Sequence, residues 1–161
     1  MQGMNFADIA HLKNENIADG RISYYRLKTK GTVRELKKIS VKITPEIEAL
    51  LYQLRSEEEG HDAYVFPILQ PGMSAERQKA VIKQFIKDTN DALNLIGEKL
   101  ELPLKLTTYV ARHSYATILK RSGVPTAVIS ETLGHENEKT TENYLDSFDL
   151  EVYDEVNKHL L

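Results

Sequence analysis

The sequence contains no cysteine. Disulfide frameworks and thiolate metal sites are therefore excluded, and a reducing compartment is the simple reading. No apolar run approaches bilayer length and no signal peptide opens the chain, so a soluble, cytoplasmic protein is expected. Internal repeats, low-complexity tracts and an interdomain linker are missing as well. The five histidines are scattered and lack ligand spacing of the HExxH type, which makes a metal hydrolase a poor reading. A basic surplus is also lacking. The net charge of −3 argues mildly against nucleic acid, because phosphate binders usually carry excess positive charge.

What remains is an ordinary globular composition, 41% hydrophobic and 28% charged, over 161 residues. That length suits one domain, residues 1–161, with a real core. The pattern along it predicts an α+β fold, mainly helical, with a small antiparallel sheet near the N-terminal third. "MNFADIAHL" (residues 4–12) has Phe6, Ile9 and Ala10 at helical spacing. "GRISYYRLKTKG" and "ELKKISVKI" are β-rich runs around a Lys/Gly/Thr turn and read as a hairpin or sheet core. In "TPEIEALLYQLRSEEEG" a helix opens on Thr-Pro with acids in its first turn, and Gly60 marks its expected end. Ser74 caps the next helix, with Arg77 where a full capping box needs Glu or Gln. The last third reads as four helices, the final one from "LEVYDEVNKHLL".

Two stretches carry chemistry. In "LTTYVARHSYAT", Thr107 or Thr108 can cap a helix that places Tyr109, Arg112 and His113 at i, i+3 and i+4, on one face. A helix start with free N–H groups and a guanidinium fork suits a phosphate. The plainer reading leaves Arg112 at the surface and His113 in the core. In "PTAVISETLGHENEKTTENYL", Pro125 starts a helix, Gly134 stops it in the left-handed region, and Asn137 caps the next. His135 follows the stop, and Tyr144 comes nine residues later. Each alone reads as a turn residue and a core aromatic.

Together, "ARHSYAT" and "LGHENEKTTENY" resemble the catalytic domain of the tyrosine recombinase (phage integrase) family, over about residues 3–144. Within it the chain looks most like integrases of Bacteroides-type mobile elements, where "YVARHS" and "YLDSFD" recur. The resemblance implies site-specific recombination of double-stranded DNA by integration or excision, without metal or nucleotide cofactor. A tyrosine attacks the scissile phosphorus, a 5′-hydroxyl leaves, and a 3′-phosphotyrosyl bond stores the energy for rejoining. Tyr144 matches the nucleophile, and Arg112 matches the family's second arginine. His135 matches a position that donates to the phosphate or buttresses the nucleophile. His113 and Tyr109 match two further positions, the second commonly a histidine. A turn lysine protonates the leaving oxygen. Lys28 and Lys30 both qualify, and Lys28 is preferred for the Lys-Thr pair that follows the strand.

The resemblance further implies a tetramer on recombination sites built from monomers, no membrane and no small-molecule substrate. An upstream DNA-clamping domain is expected to be absent from this stretch. In the tail, Tyr153, Val156 and Leu160 share a helical face and are expected to dock on a neighbouring subunit. Lys30, Lys120 and Arg121 are expected to contact DNA, among basic residues that also include Arg34, Lys37 and Lys38. Charge distribution rather than net charge then decides binding.

One departure matters. The family's first arginine falls on Asn5, and related integrases often carry it just before the glycine, where this chain has Gln2. Arg21 or Arg26 could substitute. The preferred expectation is an unfilled position and a weakened enzyme, which Gln2→Arg would speed. The competing class is a DNA-binding module of helix-turn-helix cadence without catalysis. It leaves the Tyr109, Arg112 and His113 face and the His-to-Tyr interval unexplained.

Overall fold

Six helices and a three-stranded sheet make up the described part of the chain. The computed structural model describes residues 1–29, 37–103, 105–135, 137–142 and 145. Tyr144, Lys30, Arg34 and the tail from residue 146 lie outside the described residues.

Helix α1 (Phe6–Ala10) is capped by Asn5, whose Oδ1 accepts the Ala7 N–H at 2.9 Å. After a 3-10 turn (Asn14–Asn16) come strands β1 (Ile17–Ala18) and β2 (Arg21–Tyr25). A second 3-10 turn (Leu27–Thr29) follows, and then β3 (Lys38–Lys42). The expected hairpin is present: β2 and β3 pair antiparallel, with Ser23 opposite Ser40. The short β1, not anticipated, adds to the other edge of β2. Alternation decides the facing, with Ile22 and Tyr24 of β2 and Ile39 and Val41 of β3 buried, half-buried Ser23 and Ser40 between them and exposed residues at the strand ends. They pack with Met4, Leu12, Val65 and Phe66, and with Ile47 and Leu51 of helix α2 (Pro45–Leu54).

Helix α2 opens as expected, with Thr44 accepting the Ile47 N–H and Pro45 first in the helix. It ends earlier than Gly60 suggests. Arg55 turns extended, Ser56 donates its N–H to Val65 O at 2.7 Å, and Arg55 Nη2 donates to Asn14 Oδ1. Glu57, Glu58 and Glu59 would also meet the negative end of the helix dipole.

Helix α3 (Ala75–Lys99) starts at Ser74, whose Oγ accepts the Arg77 N–H at 3.2 Å. Helix α4 (Thr108–Arg121) corrects a detail of the sequence reading. Thr107 is its N-cap, but neither threonine caps with its side chain; Asn90 of α3 reaches across and accepts the Thr108 N–H at 2.8 Å. Helix α5 (Thr126–Leu133) follows Pro125 and stops at Gly134, φ 64°. Ala116, Ile129 and Leu133 bind α4 to α5. Helix α6 (Glu138–Glu142) begins after Asn137, whose Oδ1 accepts the Thr140 N–H at 3.0 Å. Among the described residues no helix is long and apolar enough to cross a membrane.

Candidate active site

Two segments far apart in sequence converge where α5 ends. Gly134 adopts the left-handed conformation that releases the chain from α5, and it also lies against the sheet. A Cβ there would stand 2.5 Å from Ile39 Cδ1 and 3.2 Å from Arg26 Cδ. The absence of a side chain therefore lets the turn approach β3, and the turn swings His135 inward to 6% exposure.

Arg112 comes to meet it. The plainer expectation of a surface arginine is wrong: Arg112 is 2% exposed, while Tyr109 is exposed and His113 half-buried, their rings edge-on with centroids 4.8 Å apart. The three residues of the face thus do not share one environment. Arg112 Nη1 donates to Gly3 O at 2.7 Å, and Nη2 donates to Leu133 O. Nη2 also lies 3.1 Å from His135 Nε2. A guanidinium has only donors, so Nε2 accepts and the ring proton sits on Nδ1. That N–H donates to Thr141 Oγ1 at 2.8 Å. Thr141, the second member of the Thr-Thr pair, has no solvent exposure. The result is a buried relay of Arg112, His135 and Thr141 linking α4, the turn and α6.

Electrostatics agree with that tautomer. Burial, and then the charges of Arg112, Arg26 and Lys28, push His135 down to about 4, so its ring is neutral near pH 7. Below the turn lies Asp8, 5% exposed, whose Oδ1 accepts the Leu27 N–H at 2.9 Å. Burial raises its pKa, opposed by that N–H and by the charges of Arg26, Arg112 and His11. Sequence reasoning passed over Asp8. A carboxylate inside the short apolar run "FADIA" was the available signal.

Lys28 lies on the 3-10 turn, exposed, and lines a cleft of about 670 Å³ between α1, that turn and α3. Asn5, Asp8, Arg26, Lys79 and Lys83 line it too. Four cations face one carboxylate there, so charge distribution offsets the acidic total. Lys79 and Lys83 were not anticipated. A neighbouring pocket brings Asn5, Tyr109 and Arg112 together with the start of α4. Lys120 and Arg121 stand apart from both, in the last turn of α4. That is about 12 Å along the helix from Arg112, at 1.5 Å per residue. Tyr144 and Lys30 lie outside the described residues, so neither is placed against this cluster.

A three-stranded sheet packed against helices, with an arginine and a histidine buried together at a helix stop, defines a class of helical α+β domain. The sequence matches the phage integrase family over residues 2–151, and the chain belongs to that family. A tyrosine recombinase of Thermosipho africanus is 50% identical over 50 residues, 31% of this chain and 18% of its own length. Transposase A from transposon Tn554 of Staphylococcus aureus is 28% identical over 144 residues, 86% of this chain and 35% of its own length. The chain thus spans about a third or less of the curated relatives it matches. Among solved structures, the XerH site-specific recombinase, bound to palindromic difH substrate as a post-cleavage complex, superposes with a TM-score of 0.64 at 20% identity. That match covers 96% of this chain and 41% of XerH.

Proposed function

We propose that this domain cuts and rejoins duplex DNA at specific sites through a 3′-phosphotyrosyl intermediate. One observation carries the reading: Arg112 and His135, 23 positions apart, are buried in direct contact, and Arg112 lines a pocket that shares Asn5 with the cation-lined cleft. A helix-turn-helix module needs no such buried relay. The XerH relative holds its difH substrate, and we extend duplex DNA to this chain as its partner.

In the proposed reaction the Tyr144 hydroxyl oxygen forms a bond to phosphorus and its proton passes to bulk water. The bond from phosphorus to the 5′-oxygen breaks, and Lys28 gives that oxygen its proton. Arg112 supplies donors to the non-bridging oxygens, where charge grows in the transition state. His135, neutral and held by Thr141, positions Arg112 through its Nε2. Tyr109 borders the pocket that holds Arg112, with the His113 ring against it. Lys30, Lys120 and Arg121 serve as backbone contacts, the last two beyond the reacting phosphate. Four copies assemble on a recombination site from monomers in solution.

The test is a nicked duplex that traps the cleaved strand. A DNA adduct that persists in chelator and disappears in Tyr144→Phe supports the proposal. An adduct retained by the Phe variant would assign the chemistry to another residue, and no adduct from the wild type would leave a binding module.

A further inference from the structure

Asn5, which stands where the resemblance expects an arginine, is a neutral amide whose Oδ1 is committed to capping α1. Gln2 sits beside Gly3 in a left-handed turn, φ 49° and 63°. A phosphodiester presents two non-bridging oxygens, and both gain charge as the fifth bond forms. One arginine beside a neutral histidine is a thin complement to that charge.

We propose that Arg26 supplies the second guanidinium to the reacting phosphate, from the end of β2 rather than from α1; this rests on the strand-transfer reading above. Arg26 follows β2 directly, and its Nη1 donates to Gly134 O at 3.0 Å, one residue from His135. Arg112 holds Leu133 O and His135 on the same turn. Two guanidiniums therefore grip three consecutive residues from different parts of the chain. Both act on the same groups, lowering the His135 pKa and opposing the rise at Asp8. Asp8 thereby becomes the shared buried counter-charge, and the cluster stays net positive. Arg26 is half-buried and lines the cleft with Asn5 and Lys28, so its charge faces the region that the absent family arginine would serve. Arg21 does not compete. Its Nε donates to Ser40 Oγ at 2.7 Å and its Nη2 to Ser40 O at 3.2 Å, at an exposed position on the sheet. This reverses the preference, reached from sequence, for an unfilled position.

The experiment measures cleavage of a nicked duplex whose scissile phosphate is either native or a methylphosphonate. The latter lacks the charged non-bridging oxygen, so a missing neutralising cation should matter less. With Arg26→Ala, cleavage of native DNA should fall about a hundred- to a thousandfold. On methylphosphonate DNA the gap to wild type should shrink by about tenfold or more. Arg26→Lys, which keeps the charge but loses the planar fork, should show a smaller defect with the same partial rescue. It carries the comparison alone if Arg26→Ala does not fold. Arg21→Ala should cleave like wild type. Arg26 variants with normal cleavage would overturn the proposal. So would a defect equal on both substrates, because Arg26 would then only clamp the turn. If the wild type forms no Tyr144-linked adduct on native DNA, the strand-transfer reading itself fails, independently of Arg26.

Discussion

His135 Nε2 accepts from Arg112 Nη2 at 3.1 Å while its Nδ1–H donates to Thr141. One imidazole thus couples the guanidinium of α4 to the helix that precedes Tyr144. Loosening either contact should be felt at both ends of the relay.

Arg112→Lys should lose cleavage by a large factor with little change in DNA affinity, because an ammonium cannot reproduce the planar fork. It should also lower stability. Gly3 O and Leu133 O lose their donor in a buried setting, at about 1–3 kcal/mol per unsatisfied group. Chemical denaturation and adduct formation measured on one preparation would separate the two effects. Full stability beside lost cleavage would mean that the carbonyl contacts contribute nothing.

The depressed pKa of His135 has a definite sign. Between its ordinary value of about 6.5 and its folded value of about 4, the unfolded chain takes up a proton that the folded chain refuses. Its contribution to stability is complete above pH 6.5 and is lost as pH falls through that window. His135→Gln should flatten the dependence of Tm on pH between 6.5 and 4. An unchanged slope would assign the acid sensitivity to other groups.

Gly134→Ala combines a positive φ with a Cβ aimed at Ile39 Cδ1. The backbone strain alone should cost about 1–3 kcal/mol. Ile39→Val removes that Cδ1, so in the Gly134→Ala background it should recover part of the loss, as read by denaturant midpoints. A double variant no better than the sum of its parts would show that the clash relaxes elsewhere.

Lys28→Ala should slow cleavage of ordinary DNA about a hundred- to ten-thousandfold, the usual span for a lost general acid. A substrate with sulfur in place of the leaving 5′-oxygen departs as a thiolate near neutral pH and needs no such proton. Cleavage of that substrate should be nearly normal in the variant. A persistent defect would reduce Lys28 to a phosphate contact.

The tail also carries a prediction. Deleting residues 150–161 should weaken assembly on a recombination site more than binding of a single subunit, as judged by native gel shifts. Equal losses of both would make the tail a core helix of its own domain.

Local signals were readable wherever a short-range rule governs the backbone. Thr44-Pro45, Ser74, Asn137 and Gly134 mark helix ends because each satisfies or releases backbone groups within three residues of itself. The β2–β3 alternation was legible for the same reason. Tertiary structure decided what depends on partners brought from elsewhere. Asn90 rather than a threonine side chain caps α4, and the hydrogen bond from Ser56 N–H to Val65 O accompanies the end of α2 before Gly60. Helical spacing put Tyr109, Arg112 and His113 on one face, but the carbonyls of Gly3 and Leu133 and the ring of His135, all from elsewhere in the chain, hold Arg112 inward. Arg26 was one of two candidates legible in the sequence, beside Arg21, but nothing local fixed which way it faces. Its place beside His135 exists because Gly134, having no side chain, lets the α5 stop lie against Ile39 and the end of β2.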